Sequence, residues 1–217
     1  MTPQPACATL AGLIALAAGP LLAEERAGRA IRVQQEAFQA TSPIGFPIET
    51  DDDIFRQARI YTKQYGSIEI TLLDGTALTV APNASLVIDD YVFAGEGESG
   101  AMALSLGRGA MRLISGRMPK EGVAITTPSA TIGVRGTTIW ASVEGPDRTE
   151  LWVTEGVGLI TPTNGQTYEI AAPAHVICSA ESCDEGGDPP VPLIFPLGGQ
   201  ANDGAEGGDN GGESGNP

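Results

Sequence analysis

Few residues in this chain could carry out chemistry, and they are scattered. The chain of 217 residues has one histidine, His175, which stands in the apolar run AHVI. Hydrolysis by a serine or cysteine needs a base beside the nucleophile, and a lone histidine in an apolar strand is more often structural. Asp89 and Asp90 could form a glycosidase pair, but adjacent residues of a strand face opposite sides of the sheet. The sequence therefore predicts no catalytic residues and no enzyme.

The cysteines indicate a disulfide rather than a metal site. Cys178 and Cys183 lie in CSAESC, and the third cysteine, Cys7, lies near the N-terminus. A structural metal site takes about four ligands, and His175 is the one histidine available. Two cysteines in an exported chain are typical of one disulfide, although free thiols or a metal pair would use the same residues. We expect a Cys178–Cys183 disulfide, no metal and no cofactor, since phosphate-loop and dinucleotide motifs are also missing from the sequence.

The most distinctive segment is Thr126–Val143, TTPSATIGVRGTTIWASV. Its β-branched residues are typical of a strand, but Gly133 and Gly136 weaken a strand unless they form a bulge, a bend or a close backbone approach. We therefore predict that Gly133, Arg135, Gly136 and Thr137 form a structural corner of a sheet.

Arg135 has two possible roles at this corner. Its guanidinium could hold the corner by donating to backbone carbonyls or to a carboxylate, with Glu155 and Asp147 as candidates. It could instead contact an acidic ligand or partner. Trp140 and Trp152 are expected to pack in the core or on a sheet face rather than to bind carbohydrate.

The hydrophobic pattern predicts an all-β fold. From Gly66 to Cys178, apolar and polar residues alternate in short runs separated by turn residues, which indicates about a dozen short strands at intervals of about 8–10 residues. Asp74-Gly75 between two such runs predicts a hairpin with a type I′ turn. Gly107-Arg108-Gly109 and Glu155-Gly156 are expected to be further turns. Such spacing is typical of a sandwich or a solenoid-like stack.

The two ends of the chain differ from this middle part. Residues 1–23 carry no charged side chain and end in Leu-Leu-Ala before Glu24, which indicates a signal peptide, with a retained anchor over Ala6–Ala23 as the alternative. Residues 184–217 are rich in Gly, Pro and acids, and we expect a disordered tail that folding does not need. Within it only Val191–Leu197, VPLIFPL, is apolar, and it could dock on the domain or bind a partner. The expected domain therefore spans residues 24–183.

The order of these strands and motifs resembles the FecR-like domain family. The resemblance covers about 125 residues between 31 and 178. It is carried by YGSIEI from Tyr65, LDGT from Leu73, LGRGAMR from Leu106 and VTEGV from Val153. Its most specific part is TPSATIGVRGT, from Thr127 to Thr137. Regulators of this family have a periplasmic FecR-like part that senses an outer-membrane transporter and a cytoplasmic segment that controls a sigma factor. The resemblance therefore implies a sensing role of this kind as one expectation for this chain.

The net charge of the chain and its resemblance to the FecR-like family narrow the set of expected partners and functions. A net charge of −15 disfavours nucleic acid and anionic lipid as partners. We expect a non-catalytic module, periplasmic or secreted, that acts as a scaffold or sensor by binding another envelope protein or a surface ligand, with no membrane span after leader removal. The alternative is a FecR-type signalling regulator that works with an outer-membrane transporter and a sigma factor. This chain shows no cytoplasmic segment before its hydrophobic stretch, so that role would need a second protein. A polysaccharide-active enzyme is the third reading.

Overall fold

The fold is all-β, as the sequence predicts. The computed structural model describes residues 25–95, 100–119 and 121–187, so the expected signal peptide and the segment Val191–Leu197 lie outside the described residues. These ranges hold fifteen strands and no helix, and hence no helix that could cross a membrane. The strands are β1 (Arg26–Gln34), β2 (Ala37–Ala40), β3 (Phe46–Pro47), β4 (Asp53–Phe55), β5 (Arg59–Thr62), β6 (Ser67–Leu72), β7 (Ala77–Val80), β8 (Ser85–Phe93), β9 (Gly100–Ile114), β10 (Val123–Thr126), β11 (Ala130–Val143), β12 (Thr149–Pro162), β13 (Tyr168–Ala171), β14 (Ala174–Cys178) and β15 (Cys183–Glu185).

Three of these strands are long and each changes partners at a glycine. β9, β11 and β12 have 15, 14 and 14 residues. Gly109, Gly136 and Gly156 lie inside them with φ of 76°, 57° and 78°, a region that glycine enters without the steric cost of a Cβ. Each glycine thus bends a strand without reversing it.

The bends divide the strands into two halves that share β9, β11 and β12. Half A runs β3-β2-β5-β8-β9-β10-β11-β12-β13 and uses the segments Gly100–Arg108, Ala130–Arg135 and Val157–Pro162 of the shared strands. Half B runs β4-β1-β6-β7-β9-β11-β12-β14-β15 and uses their other segments. The pairings are antiparallel except for β9 with β10, which is parallel.

One hydrophobic core connects the two halves. Alternate residues of every long strand belong to it, because successive side chains of a strand point to opposite faces. Leu104 and Ile132 from half A join Ile70, Leu113 and Ile139 from half B in the same buried cluster. Each of these five side chains is at most 1% exposed. Burying them supplies the main apolar contribution to stability.

The structure differs from the sequence prediction at three of the expected turns. The expected turns at Gly107–Gly109 and at Glu155-Gly156 are the bends in β9 and β12, so pairs of predicted short strands are single long ones. The hairpin of β6 and β7 is confirmed, but its type I′ turn is wrong. A four-residue loop connects the strands, and within it only Gly75 has a positive φ, 85°. The Leu72 N–H donates across the loop to the Thr76 carbonyl, at 2.9 Å.

The C-terminal edge is pinned by the expected disulfide. Cys178 and Cys183 are bonded and pair across β14 and β15. The expected end of the domain, at residue 183, falls at the first residue of β15, and Glu185 pairs with Val176. The Gly186 N–H then donates to the His175 carbonyl at 2.8 Å. Ordered structure therefore continues to the last described residue before the tail, Gly187.

A buried carboxylate fixes the loop between β6 and β7. Asp74 is 0% exposed and accepts hydrogen bonds from the Thr76 N–H (3.2 Å) and hydroxyl (2.5 Å). It also accepts from the Tyr91 hydroxyl (3.1 Å) and the Met118 N–H (3.2 Å). The Asp74 N–H donates to the Tyr91 oxygen at 2.8 Å. A carboxylate so fully bonded holds three chain segments together and has no capacity left for catalysis.

The bend at Gly156 gives a first prediction. Gly156→Ala should lower the free energy of unfolding by about 1–3 kcal/mol, because the alanine would have to adopt the positive φ of 78° that the bend requires. The new Cβ would also stand 2.6 Å from the Gly136 carbonyl oxygen. Gly133→Ala is the matched control, since a Cβ there meets its nearest atom, Leu159 Cβ, at 3.5 Å. Urea denaturation followed by circular dichroism measures both, and equal losses in the two variants would contradict the bend as the cause.

Tyr91 gives a prediction on alkaline stability. Burial, and next the Asp74 carboxylate, raise the pKa of its phenol above the ordinary 10.0. The folded chain thus keeps a proton that the unfolded chain releases, so this contribution to stability is complete below pH 10.0 and declines above it. Tyr91→Phe should cost about 1 kcal/mol at pH 7 and flatten the decline above pH 10. Urea unfolding from pH 7 to 11 tests this, with Tyr65→Phe at an exposed phenol as control, and an unchanged slope in Tyr91→Phe would refute it.

Candidate functional site

At the position of the predicted corner, the backbone of β11 bends at Gly136, which has a φ of 57°. The register of β11 with β12 shifts between Arg135 and Thr138, which is the pattern of a bulge. Gly156 of β12 lies against this bulge, because its hypothetical Cβ would stand 2.6 Å from the Gly136 oxygen and 2.9 Å from Thr137 Cβ. Gly133 has neither a positive φ nor a close contact, so the need for glycine falls on Gly136.

A serine satisfies the backbone groups at the corner. The Ser115 hydroxyl accepts from the Thr137 N–H at 3.1 Å and donates to the Thr137 carbonyl at 3.0 Å. The Ser115 N–H donates to the same carbonyl at 3.1 Å. Sequence reasoning assigned this bonding to Arg135. It missed Ser115, which lies 22 residues away and carries no distinguishing pattern.

Arg135 itself extends from the corner into solvent. Its side chain is 42% exposed, and its Nη2 lies 3.6 Å from Glu121 Oε1, whose side chain is 83% exposed. The two expected partners are not the ones observed. Glu155 accepts from the Thr138 hydroxyl at 3.2 Å, and no ion pair joins Asp147 to Arg135 among the described residues. An exposed pair of this kind contributes about 0–1 kcal/mol, so the guanidinium remains available to a partner.

The Thr-Pro-Ser turn before β11 is a buried hydroxyl cluster. The Thr149 hydroxyl lies 2.7 Å from those of both Thr127 and Ser129. Thr127 also closes its own turn, because its hydroxyl donates to the Ala130 carbonyl at 2.9 Å and accepts from the Ala130 N–H at 3.0 Å. No basic side chain takes part in these bonds. The cluster positions the start of β11 and has no arrangement for nucleophilic catalysis.

A groove with both polar and apolar lining residues lies beside β2 and β3, and sequence reasoning missed it. It has a volume of about 330 Å³ and opens to solvent. Phe46, which lines it, is 68% exposed, and Ile44, two residues earlier in the chain, is 70% exposed. The floor of the groove is fixed by Gln39, which donates to the Asp53 carbonyl at 3.2 Å and accepts from the Phe55 N–H at 3.0 Å. The groove is lined by Gln39, Thr41, Phe46, Pro47, Ile48, Asp52, Asp53 and Phe55. The signal that could have revealed it is the apolar IGFP between polar runs.

A row of large side chains crosses half B on the face away from the core. Cross-strand pairing places Arg112, Trp140, Trp152 and His175 side by side on β9, β11, β12 and β14. The Arg112 guanidinium lies 5.4 Å from the centre of the Trp140 ring. Trp152 and His175 stack with ring centres 4.4 Å apart and planes 10° apart. We call these four residues the aromatic row. It confirms the expected sheet-face position of the tryptophans.

No catalytic set is assembled in the part of the chain that the structure describes. Nε2 of His175 lies 3.6 Å from Oε2 of the buried Glu150, and its Nδ1 lies 2.9 Å from the Gly187 carbonyl oxygen. Both cysteines of the domain are bonded to each other. Asp90 pairs with Arg56 at 3.2 Å. The described residues contain no group of three or more His, Cys, Asp or Glu that could hold a metal ion.

Two solved structures and one family profile are similar to parts of this chain. No curated protein matches the chain. Two crystal structures, at 1.65 and 2.50 Å resolution, of a candidate anti-sigma factor from Parabacteroides distasonis ATCC 8503 are similar to it, at 13% identity and a TM-score of 0.47. The similarity covers 58% of this chain and 59% of the other, so the chain spans under two thirds of that protein's structure.

A profile of the FecR protein family matches residues 58–157. These residues run from the approach to β5 to the position after the Gly156 bend, and they contain the whole corner around Gly136. The match agrees with the motifs that carry the resemblance in the sequence. This chain contains a FecR-like domain.

Proposed function

We propose that this chain is a non-catalytic, protein-binding module of the bacterial cell envelope. The observation that carries the proposal is the groove together with the exposed apolar side chains of Phe46, which lines it, and of Ile44, two residues earlier in the chain. Exposed apolar side chains beside a preformed groove are typical of protein-binding surfaces, because their burial is favourable only when a partner covers them.

Two further features support binding rather than catalysis. The buried polar side chains of Asp74, Thr127, Ser129 and Thr149 are bonded within the fold. Arg135, by contrast, lies at a fixed corner, and the carboxylate that it pairs with among the described residues is exposed. In a chain with 27 acidic and 12 basic residues, a positioned guanidinium is suited to recognise a carboxylate of the partner.

The FecR-like domain favours an envelope location for this partner. In the regulators of that family, the resemblance implies a periplasmic part that senses another envelope protein. The charge-free apolar segment at residues 1–23 supports export to the periplasm or the medium. The scaffold or sensing role and the location are our inference from these two features.

A FecR-type signalling regulator is the second candidate. The family match favours it, because the resemblance implies an outer-membrane transporter on one side and a sigma factor on the other. In that case the groove would bind a cytoplasm-facing partner protein or the transporter, and deletion of the gene would change the activity of one sigma factor. An unchanged transcript profile in the deletion strain would reject this candidate and leave the envelope-binding proposal standing.

The binding surfaces give a paired prediction. A partner captured from envelope extract and identified by mass spectrometry should bind Phe46→Ser and Arg135→Ala each at least about tenfold more weakly than the parent chain, since a central contact residue is worth about 1.4 kcal/mol or more. The melting midpoint of Arg135→Ala should stay nearly unchanged because its ion pair is exposed.

Arg32→Ala is the matched control for Arg135→Ala. Its side chain is 49% exposed and its guanidinium lies 3.6 Å from Glu69, the same separation as in the Arg135 pair, and neither residue lines the groove. Arg32→Ala should bind the partner as the parent does. Equal binding by all three variants would contradict the assignment of these surfaces, and hydrolysis of cell-wall glycans by the purified chain would contradict the non-catalytic proposal.

Export makes a separate prediction. The protein recovered from periplasm or medium should begin at Glu24, because a leader ending in Leu-Leu-Ala is removed on export. Mass spectrometry of the intact chain measures this. An N-terminus at Met1, or recovery in the membrane fraction alone, would favour a retained anchor instead.

A further inference from the structure

We propose that the aromatic row is a docking surface for the chain's own segment Val191–Leu197, VPLIFPL. The proposal does not depend on the identity of any partner. It rests on the position of the row, on two unpartnered donors within it, and on the place where the described chain ends.

The aromatic row faces away from the core although its members are largely covered. Leu151 and Val153 belong to the core cluster, whereas Trp152 between them does not and points to the opposite face. Trp152 is nevertheless only 4% exposed. The strands bonded to β12 are β11, β13 and β14, all of them its neighbours in the sheet rather than above it. Large aromatic surface on an outward face is stable when a further segment covers it.

Two donors in the row indicate what kind of segment fits. Trp152 Nε1 and Arg112 Nε are buried and have no hydrogen-bond partner among the residues that the structure describes. A buried donor without an acceptor costs about 1–3 kcal/mol. A polyproline-type strand has no internal hydrogen bonds, so all its carbonyls are free to accept. Aromatic-lined surfaces with tryptophan are the usual receptors for such segments.

The sequence after Gly187 has this character. Residues 189–197 read PPVPLIFPL, in which four prolines favour the polyproline conformation and Val, Leu, Ile and Phe supply apolar side chains. The rest of the tail is rich in Gly and acids and offers no second apolar run. Val191–Leu197 is therefore the one segment beyond Gly187 with apolar surface to bury.

The last described residue before the segment, Gly187, lies beside the aromatic row. The Gly187 oxygen lies 2.9 Å from His175 Nδ1, at one end of the row. The four members lie on adjacent strands about 4.8 Å apart, so the row is about 14 Å long. Three residues lie between Gly187 and Val191, so the four steps from one to the other can span about 12 Å at the rise of a polyproline strand, and the seven residues of the segment can then reach about 20 Å. The segment can cover the row without any movement of the domain.

Intrinsic fluorescence tests the proposal directly, because Trp140 and Trp152 are the two tryptophans of the chain. The full chain is compared with a chain that stops after Gly187 and with one that stops after Gln200. The first truncation should shift the tryptophan emission to longer wavelength and raise the acrylamide quenching constant. The second retains Val191–Leu197 and should behave as the full chain does.

A point variant guards against loss of folding in the truncated chain. Phe195→Ser in the full chain should give the same direction of change, and Gln200→Ser is its control outside the segment. A synthetic peptide of residues 188–198 added to the chain that stops after Gly187 should restore the original emission. Circular dichroism confirms that each chain keeps its strands.

Three outcomes would overturn the proposal. The first is identical emission and quenching in the full chain and in the chain that stops after Gly187. The second is protection that depends on protein concentration together with a dimer in gel filtration, which would make a second copy the occupant. The third is a full chain whose tryptophans are already quenched freely and become protected only when envelope extract is added, which would make another protein the occupant.

Discussion

The rest of the structure depends on the close approach of two glycine backbones, where the bulge of β11 meets the bend of its antiparallel neighbour β12. Gly136 bulges toward Gly156, and the space between them excludes a Cβ at Gly156. Both glycines have a positive φ, so both strands bend at the same level. Because the bends coincide, each strand can serve half A on one side and half B on the other while staying paired to its neighbour.

The consequences of this constraint explain much of what lies near it. A bulge leaves backbone groups without ladder partners. The Ser115 hydroxyl supplies the missing donor and acceptor for Thr137, which ties the end of β9 to the corner. With its expected bonding role filled, Arg135 needs no buried partner and projects outward. The carboxylate of Asp74 likewise accepts its hydrogen bonds from groups within the fold.

Local pattern predicted the class of fold but not the paths of its long strands. Alternation of apolar residues is a property of each strand, so the β-structure, the β6–β7 hairpin and the bend at Gly136 could all be predicted. Whether a glycine reverses a strand or bends it depends on the partners on both sides, which are distant in sequence. That is why Gly109 and Gly156 were expected in turns. Ser115 and Glu121 were missed as neighbours of the corner for the same reason, since their types carry no local signal. The groove was missed because Phe46 belongs to a two-residue strand, β3, which is too short to show a period, and Ile44 lies in the loop before it.

The boundaries of the family match divide the molecule by role. Residues 58–157 contain all three bends and the buried carboxylate Asp74, which are the parts that make the fold. The groove lies before them, on β2, β3 and β4, and His175 and β15 lie after them. A FecR-like scaffold can keep its bends while the flanking strands differ, because the flanks pair at the ends of halves A and B and not at the bends. The groove is thus built from the flank before the matched region, whereas Arg135 and three of the four members of the aromatic row lie within that region. The bends and the outward face of half B therefore belong to the same part of the chain, and the groove does not.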